Sequence, residues 1–210
     1  MQMEGWATMY YFTSWAWVLL GISFSLSGWI TIAAIHNYNV PVALLRAAIV
    51  SFEIAAPISL LVSTVVRYVI WERSLKSKYG TIRLRRWTSL ARHNANAIFA
   101  VVEVTIFGGL PIRIQDISFS ALFGLAYIFF SYFMASRYAP KYGIQFLYSF
   151  LDTTLGKETS ISAIALILVL MGYFLLFALL DDFLNAFGEM PIVHIFAAIL
   201  ISGFVCRFRD

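Results

Sequence analysis

Cysteine is almost absent from this chain, and charged residues are scarce. The single cysteine, Cys206, excludes an intramolecular disulfide framework and a metal site built from several cysteines. Charged residues make up 12% of the 210 residues and hydrophobic residues 61%, and the mean hydropathy is +0.81. These values lie outside the usual balance of a soluble domain, so the sequence predicts a polytopic membrane protein.

Six long apolar runs indicate membrane-spanning helices. A helix needs about 20 apolar residues to cross a bilayer, so a chain of this length accommodates six spans joined by short loops. We therefore expect an all-α membrane bundle that forms a single transmembrane domain over residues 1–210. The predicted spans are 10–35, 47–71, 93–110, 117–136, 161–180 and 190–206.

Basic residues are concentrated in the segment after the second predicted span, and this predicts the orientation of the bundle. The cations are Arg73, Lys76, Lys78, Arg83, Arg85, Arg86 and Arg92. Short cationic loops stay in the cytosol, so both termini are expected on the cytosolic side as well. The same segment is expected to contact anionic headgroups of membrane lipids. Nucleic-acid recognition would need a folded soluble module, which the apolar composition excludes.

Polar side chains interrupt the third predicted span. The stretch LARHNANAIFAVVEVTI places His93 at the start of the span and Glu103 ten residues later, about 15 Å along a helix. The spacing of His93, Asn96 and Glu103 predicts that they share the helix face that points into the bundle. Ionisable groups within a span cost roughly 2.5–3.5 kcal/mol on insertion scales, so each is a candidate site residue.

Other ionisable residues occur in predicted spans. Glu53 and Glu103 have no obvious basic partner at their depth, so a structural role would require hydrogen bonds to neighbouring helices. His36 and His194 lie near the opposite surface, which permits a haem with two histidine ligands, but the two residues are unlinked and their helices are not lined with glycine. We therefore predict neither a metal ion nor a cofactor.

Thr13 is the candidate nucleophile, in the stretch YYFTSWAWVLLGISF. As a lone residue, a threonine in a helix usually donates to a backbone carbonyl one turn earlier. The predicted orientation, however, places the starts of the first and third spans at the same surface, so Thr13 and His93 are expected at similar depth. A hydroxyl and an imidazole that meet are the minimum set for nucleophilic acyl transfer.

Four stretches occur in this order along the chain: FTSWAWVLLGISF, HNANAIFAVVE, GLAYIFFSYF and QFLYSFLD. Together, over roughly residues 10–185, they resemble the androgen-induced-gene and androgen-dependent TFPI-regulating proteins, a family of integral membrane hydrolases. The family's threonine, its histidine and the acidic residue ten positions after that histidine match Thr13, His93 and Glu103. The resemblance implies cleavage of fatty acid esters of hydroxy fatty acids, with the threonine as nucleophile and the histidine as its partner.

The first hypothesis is an intramembrane hydrolase of lipid esters. Thr13 would attack the ester, and His93 would act first as base and then as acid. Asn96 would donate to the oxyanion, whereas Glu103 would line the cavity or organise a hydrogen-bond network. Arg92 would hold a substrate carboxylate or a lipid headgroup at the membrane surface. This hypothesis fits the endoplasmic reticulum or another endomembrane.

The second hypothesis is a non-catalytic subunit of a larger membrane complex. Such a subunit would have protein partners and could lie, for instance, in the mitochondrial inner membrane. A transporter or a haem protein is a third class.

The chain is also expected to depart from the family at both ends. It lacks the hydrophobic segment that precedes the threonine span, and it has an additional apolar segment at 190–206. Substrate identity is therefore the least transferable property.

Overall fold

The chain is helical throughout the part that the structure describes. The computed structural model describes residues 5–78, 80–108, 110–142, 146–188 and 190–209, and no strand occurs among them, so the predicted all-α class is confirmed for these residues. The principal helices are α1 (Phe12–Ile35), α2 (Val42–Leu75), α3 (residues 87–107), α4 (Ile117–Tyr142), α5 (Lys157–Ala186) and α6 (Pro191–Val205).

Within the described ranges, four helices are long and apolar enough to cross a membrane: α1, α2, α4 and α5, the last two within Ile114–Arg137 and Lys157–Ala186. The two remaining predicted spans correspond to α3 and α6. The helix α6 has 15 residues and is about 22 Å long, which is less than the roughly 30 Å of a bilayer's apolar core. The number of six spans stays a prediction.

Helix α2 is the centre of the bundle. Of its most apolar stretch, 72% is buried, compared with 17% for α1 and 22% for α5. Its fully buried positions include the small residues Ala55, Ala56, Ser59 and Ser63. Small side chains allow neighbouring helices to approach closely, and α1, α3 and α5 all pack against α2. Polar groups on the inner faces of these helices are therefore shielded from lipid.

Helix α3 contains two π-helical segments. Its α-helical parts are Trp87–Leu90 and Asn96–Val102, and its π-helical parts are Ala91–Ala95 and Glu103–Phe107. A π-helical turn disturbs the regular backbone ladder and occurs frequently at functional sites. The helix ends at Gly108, whose φ of 59° is left-handed and carries no steric penalty for glycine. His93 lies in the first π-helical part, and Glu103 begins the second.

The loop between α3 and α4 returns to the interior of the bundle. The fully buried carboxylate of Glu53 in α2 accepts from the backbone N–H of Arg113 at 2.7 Å and from its guanidinium Nε at 3.2 Å. Asp181 of α5 accepts from the backbone N–H of Ile112 at 3.0 Å. The expectation that Glu53 lacks a basic partner was wrong, because a loop residue reaches a carboxylate about 16 Å along α2 from Val42.

Candidate active site

Side chains from three other parts of the bundle hold the π-helical segment Ala91–Ala95. The indole N–H of Trp17 donates to the carbonyl oxygen of Arg92 at 2.7 Å, the Ser63 hydroxyl donates to that of His93, and the Cys206 thiol donates to that of Asn94 at 3.8 Å. The donors come from α1, α2 and the residue after α6. Three consecutive carbonyls are thereby satisfied from outside α3, so the backbone that carries His93 is fixed without using its ring.

His93 and Asn96 each present a buried polar atom that has no hydrogen-bond partner among the described residues. These atoms are the imidazole Nδ1 and the amide Nδ2. Asn96 is fully buried, and its Oδ1 accepts from the backbone N–H of Ala97 at 2.9 Å. A buried polar group left unpaired costs about 1–3 kcal/mol, so such groups are rare in folded proteins and require an explanation. Their separation of three residues places both on one side of the helix.

An open groove of about 340 Å³ lies between the start of α1 and the start of α3. The residues that line it are Met9, Ser14, Trp17, Val18 and Arg92. Thr13 precedes Ser14 and is half-buried, and His93 follows Arg92 and is also half-buried. The structure therefore brings together the two chain segments that carry the predicted pair. Among the described residues, however, no hydrogen bond joins the Thr13 hydroxyl to the His93 imidazole.

The guanidinium of Arg92 makes no hydrogen bond or ion pair with the described residues, although its side chain lines this groove. A guanidinium with unused donors suits a carboxylate or a phosphate, because its planar fork donates to two oxygens of either group. The geometry is therefore compatible with the predicted role of Arg92 in binding an anionic group beside His93.

Glu103 lies further along α3 and is half-buried. It begins the second π-helical segment, where its backbone carbonyl accepts from the N–H of Gly108 at 2.7 Å. Ten residues of helix, about 15 Å, separate it from His93, which is too far for a carboxylate to orient that imidazole. Its role in a hydrogen-bond network stays a prediction.

The two other histidines lie elsewhere. Both ring nitrogens of His194 contact backbone carbonyl oxygens, with Nδ1 2.6 Å from Thr105 and Nε2 2.9 Å from Gly188. His36 is the exposed residue that caps the end of α1. Because both nitrogens of His194 are engaged, this arrangement does not offer the ligand that the haem hypothesis requires. In the part of the chain that the structure describes, no three His, Cys, Asp or Glu side chains are grouped to hold a metal ion.

Asn94 is one of the polar residues that interrupt the third predicted span, but the sequence assigned it no role. It is 2% exposed, and its Nδ2 donates to the carbonyl oxygen of Arg207 at 2.8 Å, while the N–H of Arg207 donates to its Oδ1 at 3.4 Å. One amide thus binds both backbone groups of a residue 113 positions away and joins residues 206–209 to α3. The only signal in the sequence is that Asn94, like Asn96, is an amide within an apolar run.

Comparison with family models, with curated proteins and with solved structures finds no match for this chain. The resemblance to the androgen-induced-gene proteins therefore stays a prediction from the four stretches of sequence. The chemical interpretation of the site depends on the geometry of α1 and α3.

Proposed function

We propose that this chain is an intramembrane hydrolase of lipid esters in which Thr13 is the nucleophile and His93 is the base. The supporting observation is that His93 Nδ1 and Asn96 Nδ2 are buried and have no partner within the described part of the chain. They lie one turn apart on a helix segment that neighbouring helices hold in place. Thr13 lies at the same end of the bundle, because Trp17, one turn later in α1, donates to the carbonyl of Arg92.

The reaction proceeds by acyl transfer. The Thr13 oxygen attacks the carbonyl carbon of the ester while His93 takes the hydroxyl proton. Asn96 Nδ2 donates a hydrogen bond to the oxyanion that develops on the carbonyl oxygen. His93 then gives the proton to the leaving alcohol as the ester C–O bond breaks, which leaves an acyl-threonine. A water molecule attacks this acyl group with His93 again as base, and the acid and the free threonine are released.

The groove between α1 and α3 supplies a binding surface of mixed character. Arg92 holds a carboxylate or a lipid headgroup, and the apolar side chains of Met9 and Val18 contact an acyl chain. Val18 is 42% exposed and Met9 38%, so an ester enters from the surrounding membrane without crossing water. Substrate and protein thus meet within a single leaflet.

The same proposal includes six spans with the basic segment on the cytosolic side, in the endoplasmic reticulum or another endomembrane. Support comes from contacts at one end of the bundle. Arg207, just after α6, pairs with Glu72 near the end of α2 at 2.8 Å and is bound by Asn94 near the start of α3. The ends of the second and sixth helices therefore meet beside the basic segment, as an alternating arrangement of six spans requires.

Substitutions at the two reacting groups test the chemistry. Thr13→Ala, His93→Ala and the double variant should lose hydrolysis of lipid esters to a similar extent, because a nucleophile and its base act as one unit. Thr13→Ser should retain turnover. Thr31→Ala is the matched control: it removes a threonine hydroxyl of the same helix that donates to the carbonyl of Ser27 at 2.9 Å and does not line the groove, so its loss should leave hydrolysis intact. A fluorophosphonate probe should label the wild type and not Thr13→Ala.

The competing function is a non-catalytic subunit of a membrane complex. The observation in its favour is that, among the described residues, no hydrogen bond joins Thr13 to His93. Purification in mild detergent separates the two functions. Stoichiometric partners together with no hydrolysis by the wild type would support the subunit, and hydrolysis by Thr13→Ala at the wild-type rate would eliminate Thr13 as nucleophile.

A further inference from the structure

Arg67 lies near the end of α2, which continues to Leu75. It follows Val42 by 25 residues in a continuous helix, which corresponds to about 37 Å, whereas the apolar core of a bilayer is about 30 Å thick. The basic segment after α2 is at this same end. We therefore expect the long side chain of Arg67 to reach the level of the lipid phosphates.

A groove of about 400 Å³ runs between α2 and the end of α6. The residues that line it are Arg67, Ile199, Leu200, Gly203 and Phe204. Its apolar wall is turned outward, because Ile199 is 68% exposed and Phe204 is 62% exposed. The groove thus combines an apolar surface along α6 with one guanidinium at its α2 side.

The cation is held rigidly, but only part of its hydrogen-bonding capacity is used. Arg67 Nη1 donates to the carbonyl oxygens of Gly203 and Cys206, and the adjacent Tyr68 hydroxyl donates to that of Phe204 at 2.8 Å. A guanidinium has five N–H donors, and neither Nε nor Nη2 of Arg67 makes a hydrogen bond among the described residues. Donors therefore remain for an anion at a site that is already ordered.

We infer that this groove binds an anionic phospholipid, with the phosphate on Arg67 and an acyl chain along Ile199 and Leu200. A guanidinium recognises two phosphate oxygens at once, and the exposed apolar wall gives a binding surface to a lipid that free phosphate would not use. A net negative lipid is favoured over a zwitterionic one because the neighbouring segment is basic. This site is separate from the Thr13–His93 site and does not depend on the proposed hydrolysis.

Gly203 provides a variant that fills the groove and leaves Arg67 unchanged. A Cβ built at Gly203 meets no atom within 4 Å, so a side chain has room to start there, and we expect a leucine to extend into the groove. Gly28 in α1 is also exposed and open to 4 Å, which makes Gly28→Leu the matched control. Leucine favours helix more than glycine by about 1 kcal/mol, so both variants should fold.

Native mass spectrometry and thermal unfolding in neutral detergent test the site, with phosphatidylglycerol, phosphatidylcholine and inorganic phosphate as separate additions. The wild type should bind phosphatidylglycerol about fivefold more tightly than phosphatidylcholine. Gly203→Leu should lose this preference, Gly28→Leu should keep it, and inorganic phosphate should not raise the unfolding temperature.

Each opposite result overturns the inference. Equal binding of the two lipids removes the role of charge, and full stabilisation by inorganic phosphate removes the role of the acyl chain. A preference that survives Gly203→Leu, or that Gly28→Leu also abolishes, places the lipid elsewhere on the protein.

Discussion

Replacing Asn94 by alanine should release residues 206–209 from α3 and expose Cys206 to thiol reagents. The amide of Asn94 is the group that binds both backbone atoms of Arg207, and Cys206 lies next to Arg207 with 4% of its surface exposed. Alanine keeps the helix and removes only the amide. The change therefore acts on the attachment of this segment.

The size of the effect follows from the bonds that are lost. Each hydrogen bond contributes about 1 kcal/mol net, so the two bonds of 2.8 and 3.4 Å together contribute about 2 kcal/mol to keeping the segment closed. The ion pair between Arg207 and Glu72 remains, is partly exposed and contributes about 0–1 kcal/mol. The hydrogen bond from Arg67 Nη1 to the carbonyl oxygen of Cys206 also remains. A loss of about 2 kcal/mol increases the open population, and hence the labelling rate, about 30-fold.

The assay uses the only cysteine of the chain. Because Cys206 is buried, the closed protein should react slowly with a maleimide at pH 8. Asn185→Ala is the control, because the Asn185 amide donates to Asp181 at the C-terminal end of α5 and makes no hydrogen bond with the described residues 206–209. The reasoning would be refuted if Cys206 in Asn94→Ala were labelled at the wild-type rate. It would also be refuted if Asn185→Ala increased the labelling rate as much as Asn94→Ala.

Two further predictions concern the carboxylates Glu53 and Glu103. Glu53→Gln should keep the acceptor for the Arg113 backbone N–H and remain folded, whereas Glu53→Leu should lose about 3 kcal/mol in the free energy of unfolding, measured by thermal unfolding in detergent. A Leu variant as stable as the wild type would contradict this. Glu103→Gln should fold with reduced hydrolysis, and Glu103→Leu should cost about 1–3 kcal/mol in stability; a fully stable and active Leu variant would make Glu103 dispensable.

The sequence predicts the long apolar helices well because hydropathy is a local property. The prediction of 117–136 corresponds to Ile117–Tyr142, and that of 161–180 corresponds to Lys157–Ala186. Each observed helix extends beyond its apolar run, since a helix continues through polar residues at the membrane surface as long as its backbone bonds are satisfied. Helix ends are therefore less predictable than helix existence.

Contacts between distant residues were not predictable in the same way. The pairing of Glu53 with Arg113 depends on a loop that returns into the bundle, and no spacing in the sequence encodes that return. The π-helical segment that carries His93 depends on donors such as Trp17 and Ser63 in other helices. The sequence predicts that Thr13 and His93 lie at one end of the bundle. Whether their side chains meet depends on the rotation of each helix about its axis, and the periodicity of the sequence does not fix that rotation.

Asn94 and Asn96, two positions apart, allow the effects of an amide on stability and on function to be tested separately. Asn94 bonds Arg207 through both its Nδ2 and its Oδ1, whereas Asn96 leaves Nδ2 buried without a partner among the described residues. Asn94→Leu should therefore destabilise the protein. Asn96→Leu should change the free energy of unfolding by less than about 1 kcal/mol, because it removes the unpaired Nδ2 but also the acceptor of the Ala97 backbone N–H.

If Asn96 donates to an oxyanion, the same Asn96→Leu variant should lower the rate of ester hydrolysis by 100-fold or so, since removal of one such donor costs roughly that much. Near wild-type stability together with lower activity distinguishes a functional amide from a structural one. Thermal unfolding and turnover measured on the same preparation decide the matter. A strongly destabilised Asn96→Leu would show that the amide has a structural role, and a variant of wild-type stability with unchanged turnover would remove Asn96 from the site.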